Sequence, residues 1–221
     1  MLYGVSIGPG DPELLTVKAL KVIENADEVI APGELAAKVI EGIRKPRIVE
    51  FPTGKSEEVI ESLSNELAKR CINENIAFVA LGDVMFYSTF MHIARKVQEI
   101  NGDVKIECIP GVASFSCVFD VSLTFCDKPF GVVTAKDLRK LEISPFDYLV
   151  VMKATEPKEV EREAKRLGYR VKAVARRMFM EGEIVYVDET PDFEDYFTTV
   201  ILEKIVSNYK GTKLNSGVHD E

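Results

Sequence analysis

The chain has 221 residues, 46% apolar and 29% charged, a balance that excludes a disordered protein and is ample for a buried core in one large domain or two small ones. Acids outnumber bases 36 to 28, and the resulting formal charge of -8 argues against nucleic acid as a partner unless the bases cluster. With only His92 and His219 present, a zinc hydrolase built on several histidines is excluded, and a Ser-His-Asp triad has only these two to rest on.

Leu2 to Ile7 reads as a short apolar strand running into the dense turn signal Gly8-Pro9-Gly10-Asp11-Pro12. Leu14, Leu15, Val17, Leu20, Val22 and Ile23 predict a helix ending near Asn25, with Asp11 and Glu13 at its start to complement the helix dipole. Val29 and Ile30 begin a strand closed by Pro32-Gly33, and Ala36, Val39, Ile40 and Ile43 repeat at helical spacing. Arg47 to Phe51 is a short strand, and Ser56 is a candidate N-cap for a helix carrying Val59, Ile60, Leu63 and Leu67 on one face. Ile76 to Leu81 is apolar throughout, the mark of a strand covered on both faces, and it stops at Gly82-Asp83. A helical stripe from Phe90 to Ile100 ends at Gly102, and Val104 to Ile109 is a strand stopping at Pro110-Gly111.

This alternation predicts a mostly parallel sheet, whose ligands bind beyond the carboxyl ends of the strands, where the Gly-rich loops lie. The second half is richer in strand: a helix over 113–121, strands at Gly131–Ala135 and Tyr148–Met152, and a charged helix over Pro157–Leu167. Further strands follow at Val171–Ala175, Ile184–Val187 and Thr198–Val206. The pattern predicts an α/β protein with a parallel-sheet domain over 1–111, a mixed α+β domain over 112–207 and a solvated tail over 208–221, which holds His219.

The first residues lack the charged region and long apolar run of a signal peptide, and no run of about 18 apolar residues predicts a membrane span. A cytoplasmic protein with no membrane partner is expected. Cys71, Cys108, Cys117 and Cys126 form no CxxC pair and match no metal template, so each is expected as a small apolar residue in a reduced interior, and no bound metal is expected.

Gly54-Lys55-Ser56 resembles the end of a P-loop, but Val49 stands where its first glycine belongs. Gly8-Pro9-Gly10 resembles a dinucleotide fingerprint, but Glu13 occupies the third glycine position and Pro9 offers no amide. What remains is three loops that follow strands. The first is Gly8-Pro9-Gly10-Asp11-Pro12-Glu13-Leu14-Leu15-Thr16. The second, Leu81-Gly82-Asp83-Val84-Met85-Phe86-Tyr87-Ser88-Thr89-Phe90, offers an acid, aromatic faces and hydroxyls, suited to a ligand with an amine, a ribose and a purine. The third is Ile109-Pro110-Gly111-Val112-Ala113-Ser114-Phe115-Ser116, whose small residues let a ligand lie against the backbone.

Together these loops resemble the signature of the tetrapyrrole methylases: a Gly-Pro-Gly-Asp-Pro-Glu-Leu-Leu-Thr opening, a Gly-Asp-Pro loop and a Pro-Gly-Val-x-Ser segment. Val151-Met152-Lys153 and Ala173-Val174-Ala175-Arg176-Arg177 resemble two later family segments, and the similarity runs from Leu2 to about residue 205. Phe86-Tyr87-Ser88-Thr89-Phe90 and the third loop are most similar to the carbon-20 methylases of precorrin-2 or cobalt-factor II. Val84 stands where most members have proline, Ser6 where many have glycine, and Arg176 where glutamate is frequent.

The resemblance implies a two-domain, class III S-adenosylmethionine-dependent methyltransferase of cobalamin biosynthesis, acting as a homodimer on a tetrapyrrole. It implies cofactor contacts at Pro9, Leu81, Gly82, Asp83, Phe86, Ala113, Ser114, Met152 and Ala173, many through the backbone. A proton must leave the methylated carbon; Asp11, Asp83 and Tyr87 are the candidate bases in the loops, Asp11 and Tyr87 first among them, with water as the alternative acceptor. Lys136, Lys153, Arg176 and Arg177 are the cations expected to pair with the substrate's carboxylates. His92, on the helix after the second loop, is a core or surface histidine before it is a ligand to substrate cobalt. A sister methylase with another target carbon, or a non-catalytic binding protein, stays open.

Overall fold

A computed structural model describes residues 1–52 and 55–205. The turn at Gly54, the end of the last predicted strand at Val206, the predicted tail and His219 lie outside the described residues.

The first half folds as β1 (Leu2–Ser6), α1 (Val17–Asn25), β2 (Glu28–Ala31), α2 (Glu34–Ile40), β3 (Arg47–Ile48), α3 (Ser56–Arg70), β4 (Ile76–Ala80), α4 (Thr89–Ile100) and β5 (Ile106–Ile109). The sheet order is β3-β2-β4-β1-β5, and every pairing is parallel. β4 lies at its centre, and all five of its residues are buried, as an unbroken Ile-Ala-Phe-Val-Ala run requires. Ile23 of α1 and Ile40 of α2 pack on one face with Val5, Val29 and Val79. Leu67 of α3 and Phe90 and Ile93 of α4 pack on the other with Leu2, Ile30 and Phe78. Burying one such side chain contributes roughly 1.5–3 kcal/mol. The connections from β1 and β4 therefore leave toward opposite edges and opposite faces. That opens a crevice between these two neighbouring strands at their carboxyl ends.

The second half folds as α5 (Ser114–Val121), β6 (Phe130–Thr134), α6 (Ala135–Leu138), β7 (Tyr148–Met152), α7 (Pro157–Arg166), β8 (Tyr169–Arg176), β9 (Ile184–Val187) and β10 (Thr198–Lys204). Its sheet order is β6-β7-β10-β8-β9; β6 and β7 are parallel and the other pairs antiparallel, as the mixed pattern predicted. Leu138, Val160 and Ala164 of α6 and α7 cover one face, and Cys117 and Val118 of α5 cover the other. Leu14 and Val112, from the turns after β1 and β5, pack into this last cluster and join the two halves.

Several expectations are corrected. Asp11 caps a single 3-10 turn, Pro12–Leu14, rather than α1; its carboxylate accepts the Glu13 amide at 2.8 Å. Thr16 caps α1 instead, its hydroxyl accepting the Ala19 amide at 3.1 Å. Ser56 is the first residue of α3 rather than its cap, and its hydroxyl donates to the Pro52 carbonyl at 3.0 Å. β3 keeps only two of the predicted five residues. The four-residue α6, capped by Thr134, has too few apolar positions to show a helical period. Cys71 and Cys117 are buried, but Cys126 is exposed because it sits in the loop between α5 and β6 instead of on a packed face. Burial pushes the Cys71 thiol up to about 11.

Candidate functional site

A cavity of about 730 Å³ lies between the two sheets, within the size range of small-ligand sites. Each of the five parallel strands supplies part of its wall from the chain just beyond its carboxyl end: Pro9, Pro32, Phe51, Leu81 and Ser114. Met152 and Lys153 after β7, Ala175 on β8, Met178 and Met180 beyond it, and Tyr196 to Thr199 close it from the second sheet.

Local backbone chemistry shapes the floor. The Gly82 amide donates to the Gly8 carbonyl at 2.6 Å, bridging the loops after β4 and β1. Both glycines have left-handed backbone, φ 72° and 71°, which costs little without a Cβ. A Cβ on Gly82 would lie 3.6 Å from the Ser114 amide, so a side chain there would fill the gap between the second and third loops. Asp83 ties these loops together: Oδ1 accepts the Met85 amide at 2.8 Å and Oδ2 the Gly111 amide at 3.0 Å. Phe86 meets Phe115 edge-on with ring centroids 5.6 Å apart.

Two straps span the cleft. On one side the Tyr87 phenol donates to the Val132 carbonyl at 2.8 Å, and the Lys153 ammonium donates to the Tyr87 carbonyl at 2.9 Å. Burial pushes the Tyr87 phenol above its ordinary value, and nearby Asp137 adds to the shift. On the other side the loop after β8 lies against Gly10: a Cβ there would meet Met180 Cγ and the Phe179 carbonyl at 2.7 Å. Lys38 of α2 lies 3.5 Å from Glu181 of the same loop.

Of the residues the resemblance points to, Pro9, Leu81, Gly82, Phe86, Tyr87, Ser114, Met152 and Lys153 line the cavity. Asp83 and Ala113 sit immediately behind the wall, Asp83 as the tether above and Ala113 as the N-cap residue of α5. Ala173 is fully buried in the core beneath, and Ala175, two residues on, is the β8 side chain that reaches the cavity. Asp11 is occupied in its turn and does not line the cavity. Neither does Lys136, which is exposed on α6.

Arg176 and Arg177 also stand outside the wall and are engaged elsewhere. Arg176 donates to the Gly182 carbonyl at 3.0 Å and lies 5.5 Å from the Phe193 ring centroid. Arg177 donates to Asp195 at 2.7 Å. Both arginines thus brace the loops that carry Met178, Met180, Tyr196 and Phe197. His92 is exposed in a separate depression with Arg95 and Met85. Among the described residues, no three His, Cys, Asp or Glu side chains gather to hold a metal, and no helix is long and apolar enough to cross a membrane.

The sequence reading missed Glu34 and Glu50, the carboxylates in the cavity wall. The Pro32-Gly33 turn after β2 was the available signal, since it lies at the same edge as the other loops. Met178, Met180 and Tyr196 to Thr199 had none, because antiparallel strands bring them to the cleft from distant sequence.

The chain is similar to known proteins along nearly its whole length. It is 27% identical to the probable cobalt-precorrin-2 C(20)-methyltransferase of Methanocaldococcus jannaschii, over 92% of this chain and 96% of that protein. It is 30% identical to the cobalt-precorrin-2 C(20)-methyltransferase of Salmonella typhimurium, over 53% of this chain and 54% of that one. In fold it matches uroporphyrin-III C-methyltransferase of Thermus thermophilus complexed with S-adenyl homocysteine. The TM-score is 0.67 at 21% identity, over 91% of this chain and 96% of that one. A sequence model of the tetrapyrrole (corrin/porphyrin) methylases matches residues 1–193, spanning the whole first sheet, β6 to β9 of the second and all of the cleft wall except Tyr196 to Thr199. On that match the chain belongs to the tetrapyrrole methylases.

Proposed function

We propose that this protein transfers a methyl group from S-adenosylmethionine to the C-20 meso carbon of precorrin-2 or cobalt-factor II in cobalamin biosynthesis. The observation that carries this reading is the cleft at the carboxyl edge of the parallel sheet, walled by the three motif loops. The similarity to two C(20)-methyltransferases supports the choice of carbon.

The residues present fit the cofactor. Gly82 leaves a gap beside Ser114 for a flat group, Phe86 and Met152 offer apolar surface, and the backbone of 81–83 and 113–114 lies along the wall or just behind it. Bound there, the cofactor supplies an electrophilic methyl to an electron-rich carbon. The chain's own work is to orient the two molecules and exclude water, the straps at Tyr87 and Gly10 holding the cleft's width. Lys153 is in place to pair with a substrate carboxylate. The Tyr87 phenol stays protonated and acts as a donor that holds the strap rather than as a base.

The reading includes two domains meeting near Gly111, a cytoplasmic location and a homodimer. Leu123 and Phe125, 75% and 82% exposed in the loop before β6, offer apolar surface for the second copy.

The test is incubation with methyl-labelled S-adenosylmethionine and cobalt-factor II, followed by NMR location of the label. Label at C-20 supports the reading, and label at another carbon makes the protein a sister methylase. Bound cofactor without transfer to any tetrapyrrole makes it a binding protein.

A further inference from the structure

Ser6 ends β1 with no exposed surface, and its hydroxyl accepts the Val84 amide at 2.8 Å. Val84 is equally buried, so no water can replace this acceptor. Ser6 also supports the third loop: a Cβ on Gly111 would fall 2.5 Å from the Ser6 Cβ, so the two residues are already in close contact. Gly111 in turn donates to Asp83 at 3.0 Å. One side chain at the end of β1 thus fixes the loops after β4 and β5, behind Gly82, Phe86 and Ser114. A proline at 84 would carry no amide and need no acceptor, and a glycine at 6 would offer none. This chain has neither and pairs the two groups with each other.

We propose that Ser6 is a positioning residue for methyl transfer. It does not line the cavity. It acts through the Val84 amide, setting how far the 82–86 backbone stands from the third loop, and so the affinity for the cofactor and the rate of transfer. The inference rests on the proposed function and adds a residue to it.

The test compares the parent chain with Ser6→Ala and with Ser6→Ala/Val84→Pro. It measures the Kd for S-adenosylhomocysteine by calorimetry, kcat and KM with the macrocycle, and Tm. Ser6→Ala leaves a buried amide unpaired and is expected to raise the Kd and lower kcat, each by about tenfold. Adding Val84→Pro removes that amide and is expected to restore both to within about threefold of the parent. A purely structural role would lower Tm and leave Kd and kcat unchanged, and that result overturns the proposal. So does a double variant no better than Ser6→Ala. Should Ser6→Ala fail to fold, Ser6→Gly/Val84→Pro decides: binding within about threefold of the parent supports the pairing, and a loss beyond about tenfold overturns it. A parent chain that binds no cofactor would instead overturn the functional reading, and this inference with it.

Discussion

The ammonium of Lys153 donates to the backbone carbonyl of Tyr87 at 2.9 Å, joining the end of β7 to the loop after β4 across the cleft. Both residues hold left-handed backbone, φ 55° and 53°, a conformation that costs a non-glycine residue about 1 kcal/mol or more. The two strained residues are held by each other and by the Tyr87 phenol on Val132. Among the described residues Lys153 is also the one lysine or arginine in the cavity wall. Lys153→Met keeps the apolar stem and removes donor and charge. It is expected to raise the KM for the macrocycle by about tenfold, with a much smaller effect on cofactor Kd; steady-state kinetics and calorimetry check this.

Tyr87→Phe separates strap from base. Loss of one neutral hydrogen bond is expected to lower kcat/KM by about two- to tenfold. Loss of a general base would cost about 10²–10⁴. Since the phenol's pKa is raised, the folded state holds that proton more tightly than the unfolded one. Its contribution to stability is full below the ordinary tyrosine range and lost only as the pH rises through the raised value. No tyrosinate limb should appear in the pH–rate profile below pH ~10.

Asp83→Asn keeps size and removes charge and one acceptor, so one of the amides of Met85 and Gly111 loses its partner. The expected loss is about 2 kcal/mol of stability, lowering Tm by roughly 4–8 °C, together with weaker cofactor binding. Differential scanning calorimetry with and without S-adenosylhomocysteine measures both.

Acid sensitivity should arise far from the cleft. Arg70 pairs with Glu28, Glu66 and Glu74, and Arg47 pairs with Glu66 in two hydrogen bonds. Arg47 Nε lies 2.9 Å from Glu28 without the angle of a hydrogen bond, as a plain charge contact. Burial opposes ionisation of Glu66, but the two arginines outweigh it and hold its carboxyl below the usual range; Arg70 does the same for Glu74. With folded pKa values depressed, this stabilisation is present above the unfolded value near pH ~4.3 and is lost as pH falls through the folded ones. The Tm advantage of the parent over Glu66→Gln should therefore be largest at neutral pH and vanish in strong acid.

Leu123→Asp/Phe125→Asp tests the homodimer by placing charge on two side chains that are mostly exposed in one chain. Light scattering is expected to report a dimer for the parent and a monomer for the variant, with little change in Tm of the monomeric unit. A parent that runs as a monomer removes the dimer from the proposal.

The parallel sheet was legible because β4 is apolar on both faces and because glycine and proline mark the carboxyl ends of β1, β2, β4 and β5. The motif loops were legible for the same reason: their glycines are required by left-handed turns and close approach, as at Gly8 and Gly82. The rest of the site depends on contacts that sequence order hides. Nothing local marks Met180 as the neighbour of Gly10, or Asp195 as the partner of Arg177. Charge type suggested four cations for the substrate, but a guanidinium reads the same in sequence whether free or already paired. Ala173 and Ala175 share one strand face, and only the depth of β8 in the sheet decides which one reaches the cavity.

The parallel register has a consequence for how this protein can change. It sends every strand of the first sheet toward the cleft, so the starts of those strands gather at the opposite edge, where Glu28, Arg47 and Arg70 form their ion pairs. Durability and chemistry thus occupy opposite ends of the same five strands. Variants hardened against heat or acid can be sought at the far edge without disturbing the loops, and new macrocycle preferences can be sought in the loops without undoing the scaffold.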